Sequence, residues 1–162
     1  MSNHALCYVA APFSDASPTI RAWHVARAVL LARLAMACGL APVEPHTSIA
    51  AGVYGDDSNP EQRARGMVAT RQIAALVMSG GGKMWALLRD DYSMSDGVRD
   101  EVQIADDRGI SRARRAPWAE WRTIAAQSAP HLLPAWDRLA VRPDAGHRAS
   151  AHAALRAAGV MP

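Results

Sequence analysis

Three short apolar runs, at residues 5–10, 40–43 and 83–88, are each followed by a longer stretch of helical character. This alternation constrains the fold more than any other property of the chain. The runs are rich in residues such as Cys7, Tyr8, Val9, Val43, Met84, Trp85 and Leu87, and proline or glycine bounds them, the pattern of short buried strands. Pro42 and Pro45 suit the second run to a sheet edge or an early exit. Between the first two runs, Ala22, Val25, Ala26, Val29, Leu30, Leu34 and Ala37 recur at helical spacing with Arg21, Arg27 and Arg33 among them, which predicts a helix over residues 19–38, ended by Gly39. Pro60 opens a second helix to about residue 78, and Ser79-Gly80-Gly81-Gly82 breaks it. A third helix spans residues 96–108, with Ser95 or Asp96 as its cap and Asp96, Asp100 and Glu101 near its positive end. A fourth strand is expected to start at Gly109 and Ile110. Short helices follow at 117–126 and 132–140, carrying Trp118, Trp121 and Trp136, and an alanine-rich helix at 149–158. The order implies an α/β fold: a three-layer Rossmann-like or flavodoxin-like parallel sheet with flanking helices and right-handed crossovers. Residues 1–142 form one domain, with 143–162 as a helical tail.

With 162 residues, half of them hydrophobic and a fifth charged, the chain can bury a sizeable core and has a globular composition. The net charge of +3 reflects Arg108, Arg112, Arg114 and Arg115. No interleaved aromatics or recognised binding motif accompany them, so they read as a solvated basic loop and not as a surface for polymeric nucleic acid. Cys7 and Cys38 lack zinc-ligand spacing and fit reduced residues of a cytoplasmic protein. No metal or cofactor is expected. The first residues lack the pattern of a signal peptide, and no run approaches membrane-spanning length, so no membrane partner is expected.

In such sheets ligands collect outside the carboxyl ends of the strands. There the sequence places residues 11–15, 44–46 and 89–97. Ser95 and Gly97 begin a helix, where backbone N–H groups accept anions and a missing Cβ permits close approach; the alternative is plain capping. Glu101, one turn further in, is either a nucleophile or general base, or a solvated helix residue. Asp90 and Asp91 either hold a sugar or base or solvate a turn. Tyr8 either reaches the pocket or packs in the core. Ser14 and Arg21 offer anion contacts or lie on the surface, and His46 binds a ligand or is merely exposed. The run Ser79-Gly80-Gly81-Gly82-Lys83 has the composition of a phosphate loop, but it precedes a strand instead of following one.

The segment Tyr8-Val9-Ala10-Ala11-Pro12-Phe13, a strand ending in Glu44-Pro45-His46, and Ser95-x-Gly97-x-x-x-Glu101 with Ala105 and Gly109 beyond it occur in this order. Together they resemble the nucleoside 2-deoxyribosyltransferase-like superfamily, and most closely a subgroup of small bacterial and phage proteins of unassigned function. The resemblance covers roughly residues 5–110. It implies that Glu101 is the nucleophile attacking the anomeric carbon, that Gly97 admits the sugar, and that Ser95 helps hold a 5′-phosphate. Tyr8 lies near the family's first-strand tyrosine, and Pro12 and Phe13 of the same segment join Ser14, Arg21 and Asp90 as candidates for binding substrate. Two departures stand out. Ala11 replaces the usual glycine, and Thr70-Arg71-Gln72-Ile73 lacks the acid that contacts the base in many active members.

The implied function is cleavage or transfer at the N-glycosidic bond of a nucleoside or nucleoside 5′-monophosphate. A carboxylate beneath the sugar stabilises an oxocarbenium-like transition state, and a second group protonates the departing base. His46, Asp90 and Asp91 are the candidates for that second role. The alternative is a non-catalytic module of the same fold that binds or senses a nucleotide or sugar phosphate. A third reading is an assembly protein. The resemblance also implies a homodimer or higher homo-oligomer, for which Trp118, Trp121 and Trp136 supply an interface unless they pack back on their own sheet.

Overall fold

The computed structural model describes residues 4–15, 17–45, 59–107, 113–143 and 156. Strands β1 (Leu6–Ala10), β2 (Ala41–Val43), β3 (Lys83–Leu87) and β4 (Ala113–Ala116) form one parallel sheet of order β2-β1-β3-β4. This is the order of the first four strands of a flavodoxin-like sheet, whose strand order reverses at the switch point between β1 and β3. Helices α1 (Pro18–Ala37), α2 (Pro60–Ser79) and α3 (Asp96–Asp106) connect the strands, and α4 (Trp118–Ser128) and α5 (Leu133–Arg138) follow, joined by a 3₁₀ turn at Pro130–Leu132. The Rossmann-like α/β architecture expected from the alternation is the observed one.

The strand period of two divides the core. Cys7, Val9, Trp85 and Leu87 point toward α1, α4 and α5, while Tyr8, Ala10, Met84 and Ala86 point toward α2 and α3. On the first face, α1 is enclosed well beyond a single stripe: twelve of its twenty residues are buried, because α4 and α5 cover the side that the sheet does not. Pro18 starts this helix and Gly39, at φ 76°, ends it, its N–H donating to the Met36 carbonyl at 2.9 Å.

Several element boundaries differ from the sequence expectation. The fourth strand is described over Ala113–Ala116, and Gly109 and Ile110, where it was expected to start, lie outside the described residues. Two arginines obscure the apolar signal of β4. Arg115 pairs with Asp106 and Arg114 lies over the Trp121 ring, so these two belong to a strand and not to a basic loop. Pro42 sits in β2 at the sheet edge, where a missing N–H costs no ladder bond to a further strand. The expected helix at 149–158 and the tail it belongs to lie almost entirely outside the described residues.

The three C-terminal tryptophans are part of the chain's own core. Trp118 and Trp136 stack at 4.3 Å and exchange indole N–H bonds to each other's carbonyls at 3.2 and 3.3 Å. Trp121 packs on Trp85 at 4.7 Å and donates to the Ala86 carbonyl at 3.4 Å. Each indole thus satisfies its polar atom inside the molecule. No helix among the described residues is long and apolar enough to cross a membrane.

Candidate functional site

Tyr8 lies mid-strand in β1, beside Val43 of β2 and Met84 of β3, and its side chain enters the layer under α2 and α3. Glu101 lies in the second turn of α3, on the same face of that helix as Val98, Val102 and Ala105, which pack on the sheet. The two meet across 93 residues of sequence: the Tyr8 hydroxyl donates to Glu101 Oε1 at 2.7 Å. Both are buried, Tyr8 fully and Glu101 to 5 % exposure. A carboxyl group is buried this deeply only where hydrogen bonds replace lost water.

Burial is the main cause that pushes the Tyr8 phenol far above its ordinary range, and the neighbouring Glu101 pushes it further through charge and hydrogen bond. The phenol therefore remains a proton-bearing donor to the carboxylate throughout the physiological range. The Thr70 hydroxyl, which bonds the Met67 carbonyl at 3.1 Å, sits by the Tyr8 oxygen and opposes the rise, while the charge of Glu44 adds to it. Thr70 and Glu44 were not among the residues expected to form a site. Glu44 follows β2 at its carboxyl end, a signal present in the sequence. Thr70 could be placed only through the packing of α2 on β1.

Ser95 caps α3, its hydroxyl accepting from the Val98 N–H at 3.4 Å, so the capping role is realised. Gly97 lies in the first turn of the same helix, one turn before Glu101. A Cβ built there would meet only Met67, its nearest atom at 3.7 Å, an ordinary contact. Nothing else in the described protein requires glycine at this position.

The other described candidates lie on the loops after β1 and β3 and on α1. Asp91 accepts from the Ser93 N–H at 3.0 Å and its hydroxyl at 2.6 Å, and these bonds hold its carboxyl below the usual carboxylate range. Asp90 is exposed in the same loop. This loop is shaped by Tyr92 at φ 64°, whose hydroxyl donates to Glu120 of α4 at 2.7 Å. On the β1–α1 loop, Pro12 and Phe13 are half-buried and Ser14 is exposed. Arg21 donates to the Asp15 carbonyl at 2.7 Å and so braces that loop. Ala11, where the resembled family has glycine, packs into the core on the α1 side, opposite the side Tyr8 faces. His46 lies outside the described residues.

A shallow cavity of ≈ 560 Å³ lies at the other end of the sheet, lined by Cys38, Leu40, Lys83, Trp85 and Arg114 with the end of α4. Its walls come from the amino ends of β3 and β4, and none of the expected site residues borders it. The buried Tyr8–Glu101 pair and the strand-switch position make the carboxyl end the better candidate site. No cluster of potential metal ligands occurs among the described residues.

Residues 5–115 match a family described as a domain of unknown function (DUF7768). No curated protein and no solved structure matches the chain significantly. The matched segment contains β1, α1, β2, α2, β3 and α3, and with them Tyr8, Thr70, Gly97 and Glu101.

Proposed function

From a chain that belongs to this family of domains of unknown function, we propose an enzyme that cleaves or transfers at the N-glycosidic bond of a nucleoside or nucleoside 5′-monophosphate, with Glu101 as nucleophile. The observation that carries the reading is the hydrogen bond of 2.7 Å between the buried Tyr8 hydroxyl and Glu101 Oε1. It joins two residues that the resemblance to nucleoside 2-deoxyribosyltransferase-like proteins singles out independently. In this reading a Glu101 oxygen bonds to the anomeric carbon as the N-glycosidic bond breaks, and the bonding pair leaves with the base, which takes up a proton. Water or a second base then displaces Glu101 and restores the carboxylate.

Tyr8 is a positioning residue here. Its donated bond fixes one carboxylate oxygen and its burial keeps the donor protonated. Gly97, which the protein's own packing does not require, leaves room for the sugar one helical turn away. Asp91, held ionised by Ser93, is a poor proton donor to the departing base at neutral pH. That fact favours the second reading, a nucleotide or sugar-phosphate binding module on the same pocket.

Incubation with a panel of nucleosides and their 5′-monophosphates, followed by chromatography for free bases, tests the proposal. Release of base that vanishes in a folded Glu101→Gln variant is the expected result. Tyr8→Phe should retain turnover reduced about 10- to 100-fold, as expected for loss of one buried bond to a charged group. Base release by Glu101→Gln at the wild-type rate would overturn the nucleophile. Stabilisation by a nucleotide without any base release would favour the binding module. The resemblance also supports a homodimer, in which a neighbouring chain completes the cleft; light scattering that gives the 17.3 kDa monomer at micromolar concentration would remove it.

A further inference from the structure

At the same carboxyl end, on the opposite side of the sheet from Tyr8, the structure buries a charge that no salt bridge among the described residues matches. Arg27 of α1 is 7 % exposed. Its guanidinium lies 4.4 Å from the Trp23 ring centre and 4.2 Å from that of Trp118. Two indoles thus lie against the cation. The Nε atom is enclosed and has no hydrogen-bond partner. No salt bridge among the described residues engages Arg27. Asp90, after β3, is the acid whose charge acts on it.

Burial lowers the Arg27 guanidinium to about 10, so it remains charged at neutral pH. A buried cation without a bonded counter-charge is costly, and an isosteric apolar residue between two tryptophans would avoid that cost. The rings themselves are fixed by bonds unrelated to the arginine. Trp23 donates to the Leu139 carbonyl at 3.0 Å, and Trp118 donates to that of Trp136. Both rings are thereby held in place against the guanidinium. A helical side chain leans toward the helix N-terminus, which for α1 is the carboxyl end of the sheet. The terminal nitrogens are a planar fork of the geometry that matches two oxygens of one anion.

We propose that Arg27, clamped between Trp23 and Trp118, is the anchor of an oxyanion-binding site that receives the carboxylate or phosphate group of a small-molecule ligand end-on. The proposal is independent of the glycosidic reading, since it involves neither Tyr8 nor Glu101.

Thermal unfolding at constant ionic strength, with inorganic phosphate and separately with acetate replacing chloride, tests it. The expected result is saturable stabilisation by at least one of the two anions, with the half-saturating concentration raised about tenfold or more in Arg27→Met. The arm that responds identifies the ligand as phosphate or carboxylate. Equal stabilisation of wild type and Arg27→Met would mark a general salt effect and overturn the proposal, as would no response of the wild type to either anion. Should Arg27→Met fail to fold, Asp90→Asn provides the second reading. Removing the nearby negative charge should lower the half-saturating anion concentration, and an unchanged value would overturn the site.

Discussion

Burial in β1 pushes the Cys7 thiol from 9.0 up to about 12, although Lys83 and a backbone bond pull the other way, while Cys38 stands exposed at the end of α1. Both are free. A thiol reagent at pH 8 should therefore modify one cysteine quickly in the native protein and the second only on unfolding. Rapid reaction of both would show that β1 opens. The same shift links to stability. Cys7 holds its proton more tightly folded than unfolded, so its contribution is full below pH 9 and is lost as pH rises toward 12. Tyr8, also raised, adds to this alkaline loss above its unfolded value of 10.0. Stability should fall above about pH 9, less steeply in Cys7→Ala, as urea midpoints at stepped pH would record. Tyr8 and Glu101 were visible in the sequence as separate candidates. Their bond was not, because it depends on how α3 lies across β1. Arg27 carried no sequence signal either: helical spacing placed it between apolar positions, and only the α4 layer makes it a buried residue.

The turn between α2 and β3 shows what composition alone conceals. Its glycine run suggests a phosphate loop by content, and its order in the chain already argues against one. The structure supplies the physical reason for the glycine at 82. A Cβ there would lie 2.6 Å from Val77 Cγ1, 2.7 Å from the Val77 carbonyl oxygen and 2.9 Å from the Leu6 carbonyl oxygen. Two of these obstacles are backbone, so α2 or β1 would have to move. Gly82→Ala should cost about 1–3 kcal/mol or more, in the range of overpacked interiors. Gly80 differs: its nearest obstacle is the Leu76 carbonyl oxygen at 3.5 Å and its φ is −75°, so Gly80→Ala should be neutral or slightly stabilising. Chemical denaturation of the two variants side by side checks the contrast, and equal midpoints would contradict it. The strands and helices up to α3 were legible because their apolar periods are undisturbed. β4 was harder to read, because Arg114 and Arg115 occupy half of its four described residues.

For the molecule as a whole, the family match and the core have different extents. The match ends at residue 115, inside β4, whereas the core on the α1 side continues through Trp118, Trp121, Leu132, Trp136 and Leu139. Each tryptophan buries about 150–250 Å², which at about 25 cal/mol per Å² corresponds to roughly 4–6 kcal/mol. Three such rings rival the net stability of a typical domain, about 5–15 kcal/mol. A chain ending at residue 115 should show no cooperative melt, unlike the full protein. A cooperative transition in the shorter chain would separate the C-terminal helices from the fold. The two borders of the sheet have a further consequence. β2 is three residues long and contains Pro42, and β4 is four residues long and contains two arginines. Neither offers a long, flat row of unpaired amides on which another chain could extend the ladder. Both described borders of the sheet are thereby protected against cross-molecular strand addition.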